Sequence, residues 1–462
     1  MNPTDFSQLP LSPAFIKNLK ELGYLQMTPI QQHSLPITLA GQDIIAQAKT
    51  GSGKTVAFGI SLLTKIRQKF FGCQCLILSP TRELASQTAK AVRQLARYQQ
   101  NIKIITLCGG QPIGPQIRSL EHGAHIIVGT PGRIGDHLHK ETLDLSQVST
   151  LVLDEADRML DMGFIHDITK IIQYVPEQRQ TLLFSATYTK SIKEISRSFQ
   201  RSPEEVIIEG DTKPDIHQQF FLTDKSKKTD KLLQILQDYR PDSSIVFCNT
   251  KKTCQDIFDY LNNHGCRALM LHGDLEQKER DQILIQFSNK SASLLIATDV
   301  AARGLDINNL SAVINYDLTS NHETYTHRIG RTGRAGKKGI ALSLYTESEQ
   351  YKVDKICRFL DQSIPSEAEC ILSPRIPTKD RQLPLPPMVT FIIDGGKKQK
   401  LRPGDILGAL TGKSGIAGNH VGKIDILYFT AYVAINRSVA SKALSCLQSN
   451  IKGRKFKVRQ LA

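Results

Sequence analysis

Short apolar runs that end in polar residues recur along the first 360 residues, and they constrain the fold more than any other feature of the sequence. Longer amphipathic stretches separate them, which is the pattern of a doubly wound parallel sheet with helices on both faces. Ligands of such sheets bind beyond the carboxyl ends of the strands. The predicted strands of a first series lie in CLILSP (75–80), IIVGTP (126–131), LVLDEA (151–156) and TLLFSAT (181–187).

A second series of the same kind begins after Pro214. A chain of 462 residues exceeds what one ordinary hydrophobic core holds, so the two series predict two tandem α/β domains, residues 1–210 and 215–362. The strands of the second series are predicted in SIVFCNT (244–250), ALMLHG (268–273), SLLIATD (293–299), AVINYD (312–317) and GIALSLY (339–345).

The last hundred residues differ in composition. Six prolines between Ser363 and Pro387 remove backbone donors and favour extended chain, which predicts a linker over 363–387. The following segment, 388–462, alternates predicted strands and helices in the order βαββαβ, which indicates a small α+β domain. Its predicted elements lie in VTFIID (389–394), RPGDILGALTG (402–412), KIDILYF (423–429), TAYVAIN (430–436), SVASKALSCLQ (438–448) and RKFKVRQL (454–461).

Charge and cysteine content narrow the class of protein. The formal net charge is +15, and 13 basic against 3 acidic residues in 388–462 concentrate a surplus of ten in the terminal domain, which favours a polyanionic partner. No run of about 18 apolar residues and no secretory leader is recognisable, so a soluble cytoplasmic protein is expected. Nine cysteines without a CxxC pair predict mostly buried reduced thiols rather than disulfides or a zinc site.

Phosphate chemistry is indicated by AKTGSGKT (48–55). Its glycines allow backbone N–H groups to wrap a phosphate, Lys54 offers a point charge, and the Thr55 hydroxyl is a magnesium ligand. The match is short, but LVLDEAD (151–157) places Asp154 and Glu155 at the end of a predicted strand about 100 residues later. One carboxylate can hold Mg²⁺ while its neighbour orients a water. Together the two motifs predict binding of a nucleotide phosphate with Mg²⁺ and attack on it by a water molecule.

Further motifs make the chain resemble the DEAD-box RNA helicases over about 330 residues. Met27 stands where the family usually has a proline and Lys49 where it usually has a glutamine, and neither change removes a phosphate-contacting group. The motifs are GYLQMTPIQ (23–31) with Phe6 upstream, PTRELA (80–85), Gly109-Gly110, TPGR (130–133), DEAD (154–157), SAT (185–187), IVFCNT (245–250), ATDVAARGLD (297–306) and HRIGRTGR (327–334).

The resemblance implies two RecA-like parallel-sheet domains, ATP and Mg²⁺ as cofactors, and the following roles. Lys54, Thr55, Asp154, Glu155 and the arginine fingers Arg331 and Arg334 are the expected catalytic residues, and hydrolysis requires closure of the two domains. Mg²⁺ is expected at Thr55 and Asp154, partly through water. Phe6 keeps an alternative role as an N-terminal packing residue. The expected ATP-binding residues are Phe6, Tyr24, Gln31, Ala48, Lys49, Thr50, Gly51, Ser52, Gly53, Lys54, Thr55 and Asp306.

The same resemblance implies a groove for one RNA strand. Contacts to the sugar-phosphate backbone carry no sequence information, and contacts to 2′-hydroxyls favour RNA over DNA. Ser185 and Thr187 are expected to couple nucleotide state to the domains, with local backbone capping as the alternative. The expected RNA contacts are Arg82, Gly110, Thr130 and Arg133 in the first domain and Thr250, Gly273, Thr298 and Arg303 in the second.

The terminal domain resembles an RNA recognition motif, and its stretch IDGGKKQKLRPGDILGALTG (393–412) is similar to the DbpA subfamily, whose terminal domain recognises hairpin 92 of 23S ribosomal RNA. The resemblance implies a role in large ribosomal subunit assembly, with RNA but neither membrane nor DNA as partner. Lys397, Lys398, Lys400 and Arg402 are candidate RNA contacts, against a merely solvated basic loop. Tyr432 is a candidate for base stacking, although Tyr428 and Thr430 depart from the usual strand pattern.

Two other functions stay open on the sequence. An ATP-gated RNA clamp binds without useful turnover, but such proteins usually lose a catalytic residue, and Lys54, Glu155, Arg331 and Arg334 are all present. A processive DNA translocase shares the two-domain architecture, yet the motif set is that of the RNA family. RNA-stimulated ATPase activity and remodelling of short duplexes are therefore predicted.

Overall fold

The computed structural model describes residues 4–49, 51–188, 190–208, 215–302, 307, 309–333, 338–360, 383–412 and 415–461, with the side chains of 190 and 191 left aside. The described chain divides into two compact units. The first ends at residue 208 and the second begins at residue 215.

A seven-stranded sheet forms the centre of the first unit, and every neighbouring pair of strands in it is parallel. The strands are β1 (Ile44–Gln47), β2 (Cys75–Leu78), β3 (Ile104–Leu107), β4 (Ile126–Gly129), β5 (Thr150–Asp154), β6 (Gln180–Ser185) and β7 (Glu204–Ile207). They lie in the order β3-β4-β2-β5-β6-β1-β7. Strands β2, β4, β5 and β6 occupy the four runs predicted from the sequence.

Helices cover both faces of this sheet, so successive residues of its central strands are buried in two different hydrophobic clusters. Val152 of β5 packs in one hydrophobic cluster while Leu151 and Leu153 pack in another. This alternation explains why the strands read as continuous apolar runs. The helices are α1 (Pro13–Glu21), α2 (Pro29–Leu39), α3 (Lys54–Lys65), α4 (Arg82–Leu95), α5 (Ile113–Leu120), α6 (Pro131–His139), α7 (Ala156–Asp161), α8 (Ile165–Ile172) and α9 (Lys190–Phe199).

The second unit begins with a six-stranded parallel sheet in the order β10-β11-β9-β12-β13-β8. Its strands are β8 (Ile216–Leu222), β9 (Ser244–Cys248), β10 (Ala268–Leu271), β11 (Leu294–Thr298), β12 (Ala312–Asn315) and β13 (Gly339–Tyr345). Its helices are α10 (Lys228–Tyr239), α11 (Lys251–Asn263), α12 (Gln277–Ser288), α13 (Asp299–Ala302), α14 (His322–Ile329) and α15 (Gln350–Leu360).

A four-stranded antiparallel sheet completes the second unit, and we call residues 388–461 with this sheet the terminal module. Its strands are β14 (Met388–Ile393), β15 (Val421–Ile426), β16 (Ala431–Asn436) and β17 (Val458–Gln460), in the order β15-β16-β14-β17. Its helices α16 (Pro403–Thr411) and α17 (Ala440–Ser449) give the predicted βαββαβ succession. Phe391 and Val433 lie opposite each other and face the core under these helices.

The other face of the antiparallel sheet is covered by the first part of the second unit. Thr390 is fully buried there, and its hydroxyl lies 3.1 Å from Asn289 Nδ2, which donates to it, and 2.6 Å from Ser291 Oγ. Asn289 and Ser291 follow α12 and precede β11. Buried polar groups that are hydrogen-bonded in this way avoid the cost of desolvation. The terminal module is therefore docked on the parallel-sheet part of its own unit.

The fold class predicted from the sequence is confirmed: two RecA-like parallel-sheet domains and a small antiparallel-sheet domain. All nine predicted strands of the two parallel sheets form. The second strand of the terminal module ends earlier than predicted, because Leu427, Tyr428 and Phe429 form the connection to β16. The eight described cysteines are free thiols, and five of them are buried.

Candidate nucleotide and nucleic-acid sites

The phosphate loop connects β1 to the first residue of α3. Gly53 adopts φ +96°, a left-handed conformation that favours glycine, and a β-carbon there would lie 2.5 Å from Gln31 Nε2. Helix α3 starts at the next residue, so its free N–H groups and dipole point into the loop. Within the described chain, the buried Ser52 Oγ has no hydrogen-bond partner. A phosphate oxygen is the kind of acceptor that this loop lacks.

Lys54 is almost completely buried at the start of α3 and is 6% exposed. Its ammonium donates a hydrogen bond of 2.6 Å to the carbonyl of Ala48. Burial lowers the pKa of Lys54, and the carboxylates of Glu155 and Asp154 oppose that shift. A buried cation held by one carbonyl and nearby carboxylates is a suitable partner for a triphosphate.

Asp154 is the last residue of β5 and is 3% exposed. Burial, together with the charge of Glu155, raises the pKa of Asp154 to about 7, although Lys54 and a 3.4 Å contact from the Thr88 hydroxyl act in the other direction. The carboxylate is thus costly to ionise in the absence of a cation. A bound cation would remove that cost, because opposite charge favours the ionised form.

Glu155 occupies the strained turn between β5 and α7. Its φ of +53° is left-handed, which costs a non-glycine residue about 1 kcal/mol or more. The carboxylate accepts a hydrogen bond of 2.6 Å from Arg158 Nη1, and both side chains are buried. The turn and the ion pair together fix where the Glu155 carboxylate lies, which suits a group that has to orient one water molecule.

Asp157 links the DEAD motif to the end of β6. Its Oδ2 accepts hydrogen bonds from the backbone N–H of Ala186 and Thr187, at 3.1 and 3.0 Å, and from the Thr187 hydroxyl at 3.2 Å. The Ser185 hydroxyl accepts a local bond from the Thr187 N–H. Thr187 thus contacts the acidic motif directly, whereas Ser185 matches the capping alternative. These contacts of Asp157 and Arg158 could not be predicted from the sequence, because they join residues through the fold.

Gln31 joins the Q motif to the phosphate loop. Its Nε2 donates to the Gly53 carbonyl at 3.1 Å, and its Oε1 accepts from the Thr28 N–H at 2.9 Å. Tyr24 is half-buried nearby in the sequence, but Phe6 is 2% exposed within the hydrophobic core of the first unit. The position of Phe6 therefore matches the packing alternative better than contact with a base.

The four expected RNA contacts of the first unit follow three adjacent strands, β3, β4 and β2. The guanidinium of Arg82 lies against Gly110, where a β-carbon would come within 1.7 Å of Nη1. Thr130 follows β4 and is 9% exposed. Arg133 donates to the Gln111 carbonyl at 3.1 Å, and its buried Nη1 has no partner among the described residues. The strand order gathers these residues at one edge of the sheet.

In the second unit, Thr250 and Gly273 follow strands β9 and β10, and Thr298 is the last residue of β11, which lies between those two strands. The Thr250 hydroxyl accepts the N–H of Thr253 at 3.1 Å and so caps α11. Arg331 follows α14 and is 5% exposed. Four further sequence candidates, Thr50, Arg303, Asp306 and Arg334, lie outside the residues that the structure describes.

Arg328 is the centre of the polar network of the second unit and is 2% exposed. Its guanidinium forms a bidentate pair with Asp299, at 2.7 and 2.6 Å. It also donates to Asn249 Oδ1 at 3.1 Å and to the carbonyl of Asp317 at 2.6 Å. Asn249 precedes Thr250 and Asp299 follows Thr298, so Arg328 holds two expected RNA contacts close to the helix that precedes Arg331.

In the terminal module, Lys397, Lys398, Lys400 and Arg402 are exposed, in keeping with either RNA contact or a solvated loop. The prediction that Tyr432 stacks on a base is wrong. Its side chain is 1% exposed on the sheet face that carries Thr390, so its ring has no surface on which a base could stack. Strand β16 forms within the predicted segment 430–436, but the sequence did not reveal that both faces of the sheet are covered.

The residues present fit a magnesium ion that is held mainly by its nucleotide. Thr55 and Asp154 offer the oxygen ligands that Mg²⁺ prefers, and Mg²⁺ usually keeps waters and substrate phosphates as its other ligands. The described residues contain no group of three or more His, Cys, Asp or Glu side chains that could hold a metal by themselves. None of the helices in the described ranges is long and apolar enough to cross a membrane.

Comparison with known proteins identifies three families along the chain. Residues 28–195 match the DEAD/DEAH box helicase model, residues 227–336 the helicase conserved C-terminal domain, and residues 390–460 the DbpA RNA binding domain. The ATP-dependent RNA helicase DbpA of Escherichia coli is 50% identical over 466 residues, which cover 99% of this chain and all of the relative. The DEAD-box helicase CshA of Bacillus cereus is 44% identical over 77% of this chain and 68% of its own length.

A solved structure supports the same assignment. Dbp5 of Saccharomyces cerevisiae, bound to RNA and ADP BeF3, resembles this chain with a TM-score of 0.71 and 30% sequence identity. The match covers 78% of this chain and 94% of the Dbp5 chain.

Replacing the buried carboxylate of Asp154 should stabilise the nucleotide-free protein. Since its folded pKa of about 7 lies above its ordinary 3.8, the folded protein loses stability as the pH rises between those values. Asp154→Asn should therefore raise the free energy of unfolding by about 1–3 kcal/mol at pH 8, and by less at pH 5. Denaturant unfolding with a chelator present measures this, with exposed Asp144→Asn as control. A loss of stability at pH 8 would contradict the account.

Replacing Arg328 should lower both the stability of the second unit and the stimulation of ATPase activity by RNA. Arg328→Lys keeps the charge but loses the bidentate pair with Asp299, which should cost about 1.5–3 kcal/mol of stability. The RNA concentration that half-saturates ATPase stimulation should rise, because Asn249 and Asp299 flank Thr250 and Thr298. Arg358→Lys, an exposed substitution on α15, is the matched control. Equal behaviour of the two variants would show that Arg328 is not a positioning residue.

Proposed function

The chain belongs to the DEAD-box ATP-dependent RNA helicases, and from this membership we propose that it is an RNA-stimulated ATPase that remodels short duplexes near hairpin 92 of 23S ribosomal RNA during assembly of the large ribosomal subunit. The match of residues 390–460 to the DbpA RNA binding domain carries the targeting part of this proposal. The left-handed turn at Gly53 and the buried side chains of Lys54, Asp154 and Glu155 support the hydrolytic part.

The first unit supplies the groups that act on ATP. The Gly-rich loop and the α3 N-terminus bind the phosphates, while Lys54 offers a positive charge to the terminal ones. Glu155, fixed by its left-handed turn and by Arg158, orients the attacking water. Thr55 and Asp154 would hold Mg²⁺, which supplies charge neutralisation on the phosphate oxygens when it is bound.

The second unit supplies the groups that make hydrolysis depend on RNA. Arg331 and Arg334 are the proposed arginine fingers, and such residues contribute about 10³–10⁵ in rate. In this proposal hydrolysis requires closure of the two helicase domains. Arg328 lies on α14, just before Arg331, and it bonds to Asn249 and Asp299, the chain neighbours of Thr250 and Thr298. RNA bound at Thr250 and Thr298 would thus stabilise the arrangement that presents Arg331.

RNA selectivity is proposed to come from two sources. The strand-end residues of the two parallel sheets contact the RNA backbone and do not discriminate between sequences. The terminal module, with its surplus of ten positive charges, localises the enzyme and adds base contacts. Charge alone would raise affinity for every RNA and weaken steeply with salt, because each neutralised phosphate releases counterions.

Removal of the terminal module should separate targeting from turnover. Without residues 388–462 the enzyme should hydrolyse ATP at high concentrations of generic RNA but lose its preference for a 23S fragment that contains hairpin 92. Steady-state ATPase rates against the fragment and against an unrelated RNA of equal length, at matched salt, measure this. Lys397→Ala plus Lys398→Ala should weaken the preference, whereas exposed Lys442→Ala on α17 should not.

Three outcomes would reject parts of this function. Full hairpin selectivity in the shortened chain would place the targeting determinant in the helicase domains. Equal stimulation by RNA and by DNA of the same length would favour the translocase alternative. Glu155→Gln serves as the hydrolysis-deficient reference, since it keeps a hydrogen bond to Arg158 but loses the carboxylate. A wild-type rate no higher than that of Glu155→Gln would favour the ATP-gated clamp.

A further inference from the structure

Three successive large apolar side chains are exposed in the connection between β15 and β16. Leu427 is 37% exposed, and Tyr428 and Phe429 are each 60% exposed. The two rings meet edge to face, with centroids 4.7 Å apart. Contiguous exposed apolar side chains of this kind usually mark a binding surface, whereas a merely solvated loop is mostly polar.

This aromatic connection is bonded to the glycine-lysine turn that follows β14. The N–H of Lys397 donates to the Leu427 carbonyl, and the N–H of Lys398 donates to the Tyr428 carbonyl, both at 2.9 Å. A β-carbon on Gly396 would lie 2.4 Å from the Leu427 oxygen. Residue 396 therefore has to be glycine for the two loops to approach each other, which gives the Gly-Gly-Lys-Lys sequence a structural reason.

The combined surface carries positive charge beside the rings. Lys398 Nζ lies 5.3 Å from the centroid of the Phe429 ring, and Lys397 is exposed next to it. We call Lys397, Lys398, Leu427, Tyr428 and Phe429 the aromatic–lysine patch. Aromatic rings that stack on bases, with cations nearby for phosphates, are the chemistry of single-stranded nucleic-acid sites.

The sheet face on which RNA recognition motifs usually stack bases is closed in this chain. Its central residues Thr390, Ile392, Tyr432 and Ala434 are each at most 1% exposed. Thr390 is hydrogen-bonded to Asn289 and Ser291 of the same unit. Among the described residues of the terminal module, Tyr428 and Phe429 present exposed rings beside the glycine-lysine turn.

We propose that the aromatic–lysine patch is a stacking site for an unpaired RNA base, with Phe429 as its principal platform and Lys397 and Lys398 contacting the adjacent phosphates. This inference deepens the proposed function and rests on it, because it names the surface through which the terminal module would contact its RNA. The positive charge of the patch and of the whole module favours nucleic acid over a protein partner.

The 462-residue chain offers a direct optical test, because it contains no tryptophan. Phe429→Trp keeps a stacking ring and introduces a single fluorophore at the patch. Phe429→Leu keeps an apolar side chain but removes the ring. Tyr351→Leu makes the same kind of change at an exposed position of α15, which is 62% exposed, and is the matched control. The probes are a 23S fragment containing hairpin 92 and a single-stranded RNA of equal length.

We expect Phe429→Leu to weaken binding of the hairpin fragment by about 5- to 150-fold, since one base stack contributes about 1–3 kcal/mol. Phe429→Trp should stay within about threefold of the wild type, and its fluorescence should be quenched on binding. Tyr351→Leu should bind as the wild type does. Thermal unfolding of each variant should match the wild type, because Phe429 lies in an exposed loop.

The outcomes separate this inference from the proposed function. If the wild type prefers the hairpin fragment but Phe429→Leu binds equally well and Phe429→Trp is not quenched, the patch does not stack RNA and the inference fails alone. If the wild type shows no preference, yet quenching and the loss in Phe429→Leu occur with both RNAs, the patch stands and the targeting proposal fails. If Phe429→Leu binds both RNAs as the wild type does and Phe429→Trp shows no quenching with either RNA, the inference is overturned and a protein becomes the better candidate partner for the patch.

Discussion

The parallel register of two sheets is the constraint on which the rest of this structure depends. Because all strands of such a sheet run in one direction, their carboxyl ends meet at a single edge. The chain places Lys54, Asp154 and Arg133 at that edge in the first unit, and Thr250 and Thr298 in the second. A chemistry that needs residues from distant parts of the sequence is thereby assembled by strand order alone.

Within that edge, buried charge determines how the nucleotide site works. Lys54 and Asp154 are held away from water. Burial lowers the pKa of Lys54 and raises the pKa of Asp154, so it favours the neutral form of each group. Neither group is stabilised fully by its protein neighbours, and the Ser52 hydroxyl has no partner in the described residues. The site therefore tolerates unfavourable electrostatics that a triphosphate and its cation would relieve, which is a common way in which functional sites depart from maximum stability.

The sequence predicted the parallel sheets because their strands are buried on both faces and read as apolar runs. Among the strands that it did not predict are β7, whose Glu204 and Glu205 are exposed at the sheet edge, and β8, in which three polar residues, His217 to Gln219, interrupt the apolar pattern. Motif spacing located Asp154 and Glu155, but the roles of Asp157, Arg158 and Arg328 follow from contacts across the fold. Tyr432 was misread because the resemblance to an RNA recognition motif indicates where a residue lies in the sheet and not what covers that face.

The path of RNA across the second unit is the most direct test of this account. Cross-linking of a 4-thiouridine-substituted hairpin 92 fragment to the full chain, in the presence of ADP and beryllium fluoride, would map it residue by residue. The account predicts cross-links at the carboxyl ends of β9 and β11 and at Leu427–Phe429. Cross-links on the covered sheet face, at Thr390 or Tyr432, would show that the terminal module leaves its docked position to bind RNA and would contradict it.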